Sequence, residues 1–118
     1  MLRAMLKAKL HGATITQTEL HYAGSITIDG ELMQAADMLD GERVQVVNMN
    51  NGSRMETYII EGPPGSGVIC LNGPAARLAA VGDVVHILCY CWADDEEARR
   101  LKQSVVVLGP GNEIAERQ

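Results

Sequence analysis

Apolar and polar residues alternate in short segments along most of the chain, which is the pattern of β-strands with one buried face. In residues 6–11, Leu6, Ala8 and Leu10 alternate with polar residues, and residues 25–29 repeat the pattern with two isoleucines. Further strands are predicted at residues 44–49, 55–60, 68–71, 84–91 and 105–108. About six short strands with one or two small helices predict a compact, mainly β barrel.

Helical segments are predicted between some of these strands. Asp29 is a suitable N-cap for a helix over residues 30–39, whose apolar stripe extends to Leu39. Two further helical turns are predicted. One covers residues 74–80, with proline in its first turn, and the other covers the charged residues 94–101.

Glycine, proline and asparagine mark the connections. Residues 50–52 (Asn-Asn-Gly) predict a hairpin turn, and residues 62–67, rich in Gly and Pro, predict a loop. The polar tail after Gly109 is expected to be loose. No repeat or boundary divides the chain, so residues 1–118 are predicted to form one domain.

Composition narrows the class of protein. Apolar residues make up 47% and charged residues 21% of the chain, as in a globular domain. The net charge of −5 and the absence of Phe argue against nucleic acid as a partner. No apolar run approaches the roughly 20 residues that span a bilayer, so no membrane association and a cytoplasmic location are expected.

The three cysteines are expected to be reduced. Their number is odd and the first residues contain no apolar h-region typical of a secretory leader, so a disulfide framework is not expected. Cys89 and Cys91 would share one strand face, but two thiols without a nearby His are too few for a structural zinc site, so no metal is expected. Buried, inert thiols are the favoured interpretation for Cys70, Cys89 and Cys91.

Three clusters of small and polar residues are candidates for chemistry: residues 21–25, 54–58 and 72–76. Taken alone, each has an ordinary structural interpretation. Gly24-Ser25 is typical of a turn, Arg54 of a solvated strand edge, and Asn72-Gly73 of a tight turn. No phosphate-binding loop, zinc-protease motif or nucleophile elbow is present.

Motifs spread over roughly residues 1–100 carry a more specific signal. They are Met1-Leu2-Arg3, Met5-Leu6-Lys7, Lys9-Leu10-His11, Leu20-His21-Tyr22, Gly24-Ser25, Ile28-Asp29, Asn51-Gly52, Arg54, Thr57-Tyr58, Asn72-Gly73, Ala75-Ala76, Val81-Gly82-Asp83 and Asp95-Glu96-Glu97-Ala98-Arg99. In this order and spacing the chain resembles the bacterial aspartate 1-decarboxylases. Many spaced matches over most of a chain are more specific than any one motif.

The resemblance implies a six-stranded double-psi β-barrel with short helices, assembled as a homotetramer with active sites between subunits. It implies self-cleavage between Gly24 and Ser25 into residues 1–24 (β chain) and 25–118 (α chain). The implied reaction is decarboxylation of L-aspartate to β-alanine and CO₂, in pantothenate and coenzyme A biosynthesis. Some relatives need an accessory protein for the cut, so a maturation factor stays open as a partner.

The resemblance also implies that Ser25 is the source of the cofactor. Its hydroxyl attacks the Gly24 carbonyl, β-elimination releases residues 1–24, and the dehydroalanine left behind hydrolyses to a covalent pyruvoyl group. Gly24 lacks a Cβ and so tolerates the strained backbone that this attack needs. Thr57 is the implied donor to the oxyanion, and Asn72 is a further processing residue.

In the implied reaction, aspartate forms a Schiff base with the pyruvoyl group, which serves as an electron sink as PLP does elsewhere. Tyr58 is the implied proton donor to the former α-carbon. Arg54 and Lys9 are the implied carboxylate-binding cations. The remaining implied substrate contacts are Thr57, Gly73, Pro74 and Ala75.

Strand alternation raises a geometric difficulty for this set. Arg54 and Tyr58 should lie on one face of their strand and Thr57 on the other. One barrel wall cannot easily direct all three to one point unless the strand twists or bulges. A site at a subunit boundary would remove the difficulty.

The histidines have two possible roles. His11 and His21 flank the processing region, and either could transfer protons during the cut, with His11 included among the processing residues. Structural hydrogen bonding is the favoured interpretation for both.

Three positions depart from the family pattern. Ala23 stands where some relatives have an acid, and Pro74 stands where relatives usually have alanine. Proline has no N–H, so any substrate contact through that amide is lost, while the amides of Gly73 and Ala75 remain. His86 replaces an expected aliphatic residue, and a hydrogen-bonded barrel histidine is the favoured interpretation.

Two other functions stay open. One is an unprocessed β-barrel that keeps the fold as a binding module, although a degenerate relative should have lost at least one of the implied site residues. The other is a decarboxylase of the same type that acts on another amino acid such as glutamate. Lys9 and Arg54 favour a dicarboxylic substrate without fixing its length.

Overall fold

The computed structural model describes all of residues 1–118. The chain folds into nine strands, two short α-helices and two 3₁₀ turns. The strands are β1 (Leu2–Thr14), β2 (Gln17–Glu19), β3 (Ser25–Asp29), β4 (Arg43–Asn48), β5 (Arg54–Gly62), β6 (Ile69–Asn72), β7 (Val84–Asp94), β8 (Ser104–Leu108) and β9 (Ile114–Arg117). The helices are α1 (Gly30–Ala36) and α2 (Asp95–Arg100), and the 3₁₀ turns are Gly73–Leu78 and Pro110–Asn112.

The strands form one mixed sheet in the order β2-β6-β3-β5-β4-β7-β1-β8-β9. Three pairs are parallel (β1 with β8, β2 with β6, β3 with β5), and the others are antiparallel. The mainly β class is confirmed. The count of six strands is wrong, and hydrogen-bonded pairs do not close the sheet between β2 and β9, so the double-psi topology stays a prediction.

Alternation along the strands builds one hydrophobic core. Twenty buried residues from β1, β3 to β8, α1 and the segments next to them form it, and the aliphatic side chains of Leu10, Ile26, Val44, Ile59 and Ile87 are among those almost without solvent contact. Burying one such side chain contributes roughly 1.5–3 kcal/mol. The polar partners of the alternation are thereby directed to the outside of the sheet.

The first predicted helix is shorter than expected. It ends at Ala36 because Asp37 adopts a left-handed conformation (φ 55°) and donates its N–H to the Gln34 carbonyl. Leu39 lies beyond the helix and is 68% exposed, so its assignment to the apolar stripe was wrong. The other predicted helical turns are present, although residues 74–80 are matched by the 3₁₀ turn Gly73–Leu78.

Two strands had no alternating pattern to mark them. β2 is three residues long and pairs with β6, and β9 is a polar edge strand that pairs with β8. The expectation of a loose tail after Gly109 was wrong, because Gln118 and Val105 exchange two backbone hydrogen bonds of 2.7 and 3.1 Å.

All three cysteines are free, but Cys91 is only partly buried, which differs from the buried position expected for it. Cys70 and Cys89 are buried, and burial raises the pKa of the Cys89 thiol to about 11. A thiol with so high a pKa carries little thiolate near neutral pH and is unreactive. No helix is both long and apolar enough to cross a membrane.

The buried carboxylate of Asp29 ties α1 to the glycine-rich loop. One oxygen accepts from the N–H groups of Glu31 (2.8 Å) and Gly65 (2.9 Å), and the other accepts from Gly67 N–H (2.8 Å). Asp29 therefore fixes the end of β3 opposite to Ser25.

We expect Asp29→Ala to lower the free energy of unfolding by at least about 3 kcal/mol, because three charge-assisted hydrogen bonds are lost. Urea unfolding at a fixed protein concentration measures this change. Asp40→Ala is the matched control, because this exposed carboxylate accepts a single N–H, from Glu61. The control should lose about 1 kcal/mol or less, and an equal loss in both variants would contradict the assigned role of Asp29.

Candidate functional site

The junction between Gly24 and Ser25 has an unusual backbone. Ser25 is the first residue of β3 and is fully buried, and its φ of 130° is rare for a residue with a side chain. Gly24 has a φ of 105°, which only glycine adopts without strain. A serine in such a conformation stores roughly 1–3 kcal/mol of strain, which the surrounding contacts must offset.

Asn72 holds the Ser25 side chain from the neighbouring strand. The two residues are cross-strand partners of β3 and β6, and Asn72 is 3% exposed. Its Nδ2 donates to Ser25 Oγ (2.8 Å) and to Thr27 Oγ1 (3.0 Å), and its Oδ1 accepts from the thiol of Cys70 (3.3 Å). The Ser25 hydroxyl thus accepts a hydrogen bond and keeps its own proton available.

Gly73 packs directly against the backbone next to Gly24. Its φ is 68°, and a Cβ at this position would lie 2.6 Å from both the Gly24 nitrogen and the Tyr22 carbonyl oxygen. No side chain fits there. The chain on either side of Gly24 can therefore rest directly against the turn that follows β6.

A cleft of about 340 Å³ opens at this junction. Seven lining residues are implied by the resemblance or lie next to one that is: Ala23, Gly24, Ser25, Thr57, Asn72, Pro74 and Ala75. Met55, Glu56 and Leu78 complete the lining. The volume is in the range of small-molecule clefts, roughly 300–1,000 Å³.

The other implied residues lie outside this cleft. Strand alternation places Lys9, His11, Arg54 and Tyr58 on the outer side of the sheet, because Ala8, Leu10 and Ile59 beside them in the chain are in the core. Thr57 faces the cleft, so the prediction that it lies on the opposite side of β5 from Arg54 and Tyr58 is confirmed. We call the outward side of β5, β4, β7 and β1 the outer face.

Cross-strand pairing orders the outer face in rows. Arg54 pairs with Val47, which pairs with His86, and the bulged part of β1 that contains His11 follows. In the next row, Leu88 pairs with both Gln45 and Lys9. The Arg54 guanidinium donates to Gln45 Oε1 (2.6 Å).

The far end of the outer face is apolar. Trp92 is 73% exposed, and Tyr90, Tyr58 and Leu2 are also solvent-exposed. Tyr90 and Trp92 line a groove together with the ion pair of Arg43 and Glu56. Large aromatic side chains exposed together are typical of a surface that contacts another protein.

The two histidines of the outer face are in contact. The rings of His11 and His86 stack with centroids 4.0 Å apart, and His86 Nδ1 accepts from the Gly12 N–H (3.0 Å). His86 is hydrogen-bonded, as predicted. His21 is exposed in the turn before Gly24.

Sequence reasoning missed Thr27 as a part of this site. Thr27 follows Ser25 by two residues and shares its Asn72 partner. The alternation of β3, which buries Ile26 and Ile28 on the opposite side, was the signal that could have identified it.

Comparison with known proteins identifies the family of the chain. The family model described as aspartate decarboxylase matches residues 1–115. The chain belongs to the aspartate decarboxylase family. It is 58% identical to the aspartate 1-decarboxylase of Pelotomaculum thermopropionicum, over 98% of this chain and 88% of the relative.

Other relatives are similar over comparable lengths. The aspartate 1-decarboxylase of Listeria monocytogenes is 56% identical, over 97% of this chain and 90% of its own. The aspartate 1-decarboxylase of Methylibium petroleiphilum is 54% identical, over 97% of this chain and 95% of its own. The family resemblance of the sequence is thereby confirmed.

We expect Gly73→Ala to destabilise the protein by more than about 2 kcal/mol, because positive φ and a backbone clash with Gly24 combine. Gly52→Ala is the matched control, since Gly52 has a similar φ of 75° but open space around it. The control should lose about 1 kcal/mol. Urea unfolding of both variants measures the difference, and equal losses would mean that the close approach at Gly73 is unimportant.

Proposed function

We propose that this protein decarboxylates L-aspartate to β-alanine and CO₂, using a pyruvoyl group made from its own Ser25. The strained Gly24–Ser25 junction inside a cleft, with Asn72 bonded to the Ser25 hydroxyl, is the observation that carries the proposal. Membership in the aspartate decarboxylase family supports the choice of substrate.

The residues around Ser25 suit the formation of this group. Ser25 Oγ attacks the Gly24 carbonyl carbon, the Gly24–Ser25 C–N bond breaks, and an ester joins Gly24 to Oγ. Loss of the Cα proton of Ser25 with the Gly24 carboxylate as leaving group then gives dehydroalanine. Water replaces its nitrogen, releasing ammonia and leaving the pyruvoyl group at the start of residues 25–118.

Strain and hydrogen bonding both favour this attack. Cleavage relieves the positive φ of Ser25, and the Asn72 bond limits the rotation of its hydroxyl. Thr57 lines the same cleft and is our candidate donor to the oxyanion that forms at the Gly24 carbonyl.

When present, the pyruvoyl group supplies an electrophilic carbonyl that accepts the electrons left by departing CO₂. The chain's own residues bind and orient the substrate. Asn72 and the amides of Gly73 and Ala75 are proposed to contact the substrate, whereas Pro74 offers no N–H. Arg54 and Lys9 are proposed to bind carboxylates, and Tyr58 to return a proton to the former α-carbon.

Within one chain Thr57 lines the cleft, whereas Arg54 and Tyr58 lie on the other side of β5, and none of Arg54, Tyr58, Lys9 and His11 lines the cleft. We propose that a second copy covers the cleft with its outer face, so that Arg54, Tyr58, Lys9 and His11 of one subunit complete the site of another. The exposed aromatic residues Trp92 and Tyr90 would be buried in such a contact. A homotetramer with a double-psi barrel in each subunit is the assembly that the family resemblance implies.

We expect purified protein to form β-alanine from aspartate and to leave glutamate unreacted, and Ser25→Ala to abolish the activity. Amino-acid analysis of the reaction measures both. Ser104→Ala is the matched control, since Ser104 also begins a strand but lies outside the cleft. Turnover of glutamate in preference to aspartate would contradict the substrate, and an active Ser25→Ala variant would contradict the cofactor.

Complementation tests the shared site. Arg54→Ala and Asn72→Ala should each be nearly inactive alone, yet subunits of the two, refolded together, should regain part of the activity. Mixed assemblies contain sites in which an intact outer face meets an intact cleft. The control mixes Arg54→Ala with Tyr58→Phe, which damage the same face and should not complement. Equal activity in both mixtures would contradict a site formed by two subunits.

A further inference from the structure

β1 contains a bulge at His11 and Gly12. Leu10 pairs with Ile87 and Ala13 pairs with Val85, so two residues of β1 oppose the single residue His86 of β7. Gly12 has a φ of 79°, as expected for a glycine in a β-bulge. A bulge leaves one strand N–H without a ladder partner, and here it is that of Gly12.

The His86 ring satisfies this N–H. Its Nδ1 accepts from Gly12 (3.0 Å), and its face stacks on His11 (centroids 4.0 Å apart, planes inclined by 24°). An acceptor Nδ1 requires the neutral imidazole with its proton on Nε2. A protonated ring would present a donor to the Gly12 N–H and break the contact.

We propose that neutral His86 is a positioning residue, which holds the β1 bulge and thereby sets the placement of His11 and Lys9 on the outer face. The proposal rests on the proposed function only for the use of those two residues. An aliphatic residue at this place could pack on His11 but could not accept the Gly12 N–H.

The surroundings of His86 oppose its protonation. Burial lowers its pKa, and the cationic forms of His11 and Lys9 lower it further. From β4 the neutral Val47 faces it, and beyond that lies Arg54 of β5, another cation. Because the pKa is lower in the folded than in the unfolded protein, the contribution of His86 to stability is full above about pH 7 and is lost as the pH falls through the folded-state pKa.

The direct test is NMR spectroscopy of the ¹⁵N-labelled full chain. We expect a scalar coupling across the hydrogen bond between the Gly12 nitrogen and His86 Nδ1 near neutral pH. It should disappear on acidification together with the protonation of His86. A wild-type protein without this coupling at neutral pH, or with a proton on Nδ1, would overturn the proposal whether or not the enzyme is active.

Variants connect the contact to function. His86→Phe keeps a stacking ring without an acceptor, and His86→Gln keeps an acceptor that does not titrate. We expect His86→Phe to lower kcat/KM for aspartate by roughly threefold to tenfold, mainly through KM, as for one lost neutral hydrogen bond. His86→Gln should stay near wild type and lose stability less steeply than wild type as the pH falls.

Val84→Phe is the matched control, because it places the same ring on the same face of β7 two residues away. It should retain the Gly12 coupling and the wild-type KM. If His86→Phe and Val84→Phe behave alike, or if His86→Gln is as impaired as His86→Phe, the positioning role is wrong. Failure of the proposed function would appear differently, as a wild type that neither cleaves nor turns over aspartate while the coupling persists.

Discussion

The hydrogen bond from Asn72 to Ser25 is the contact on which the rest of the site depends. It joins the first residue of β3 to its cross-strand partner on β6, where the backbone of Ser25 is strained and that of Gly24 requires glycine. Gly73 adds to this constraint by leaving room for the chain next to Gly24. Asp29 anchors the other end of the same strand through three N–H groups. A short strand fixed at both ends can hold a strained peptide bond in one orientation.

The second organising feature is that β5 carries implied site residues on both of its faces. Its alternation directs Thr57 into the cleft, whereas Arg54 and Tyr58 point to the outer face. Alternation along the strand therefore separates Thr57 from Arg54 and Tyr58 within one chain. The proposed pairing of subunits follows from this geometry and from the apolar surface around Trp92.

Much of the fold could be predicted from the sequence, and the predictions that failed did so for physical reasons. Strands such as β1 and β3 were predicted because apolar and polar residues alternate along them, and β7 was predicted because it is the most apolar segment. β2 and β9 were missed because their residues are polar and backbone pairing alone holds them in the sheet. Leu39 was misplaced because Asp37 ended the helix early through a left-handed turn. The cleft residues could be predicted only from the family resemblance. Gly24-Ser25 and Asn72-Gly73 are common turn sequences and do not by themselves indicate a site. Their contact depends on the pairing of β3 with β6, which are far apart in the sequence.

The intact mass of the purified protein is the most direct test of the claim that Ser25 becomes the cofactor. The account predicts two fragments, residues 1–24 and 25–118, with the larger one lighter by one ammonia than simple hydrolysis would leave it. Ser25→Ala should remain a single chain under the same conditions. A wild-type protein that decarboxylates aspartate while its chain stays whole, or whose larger fragment begins with an unmodified serine, would contradict it.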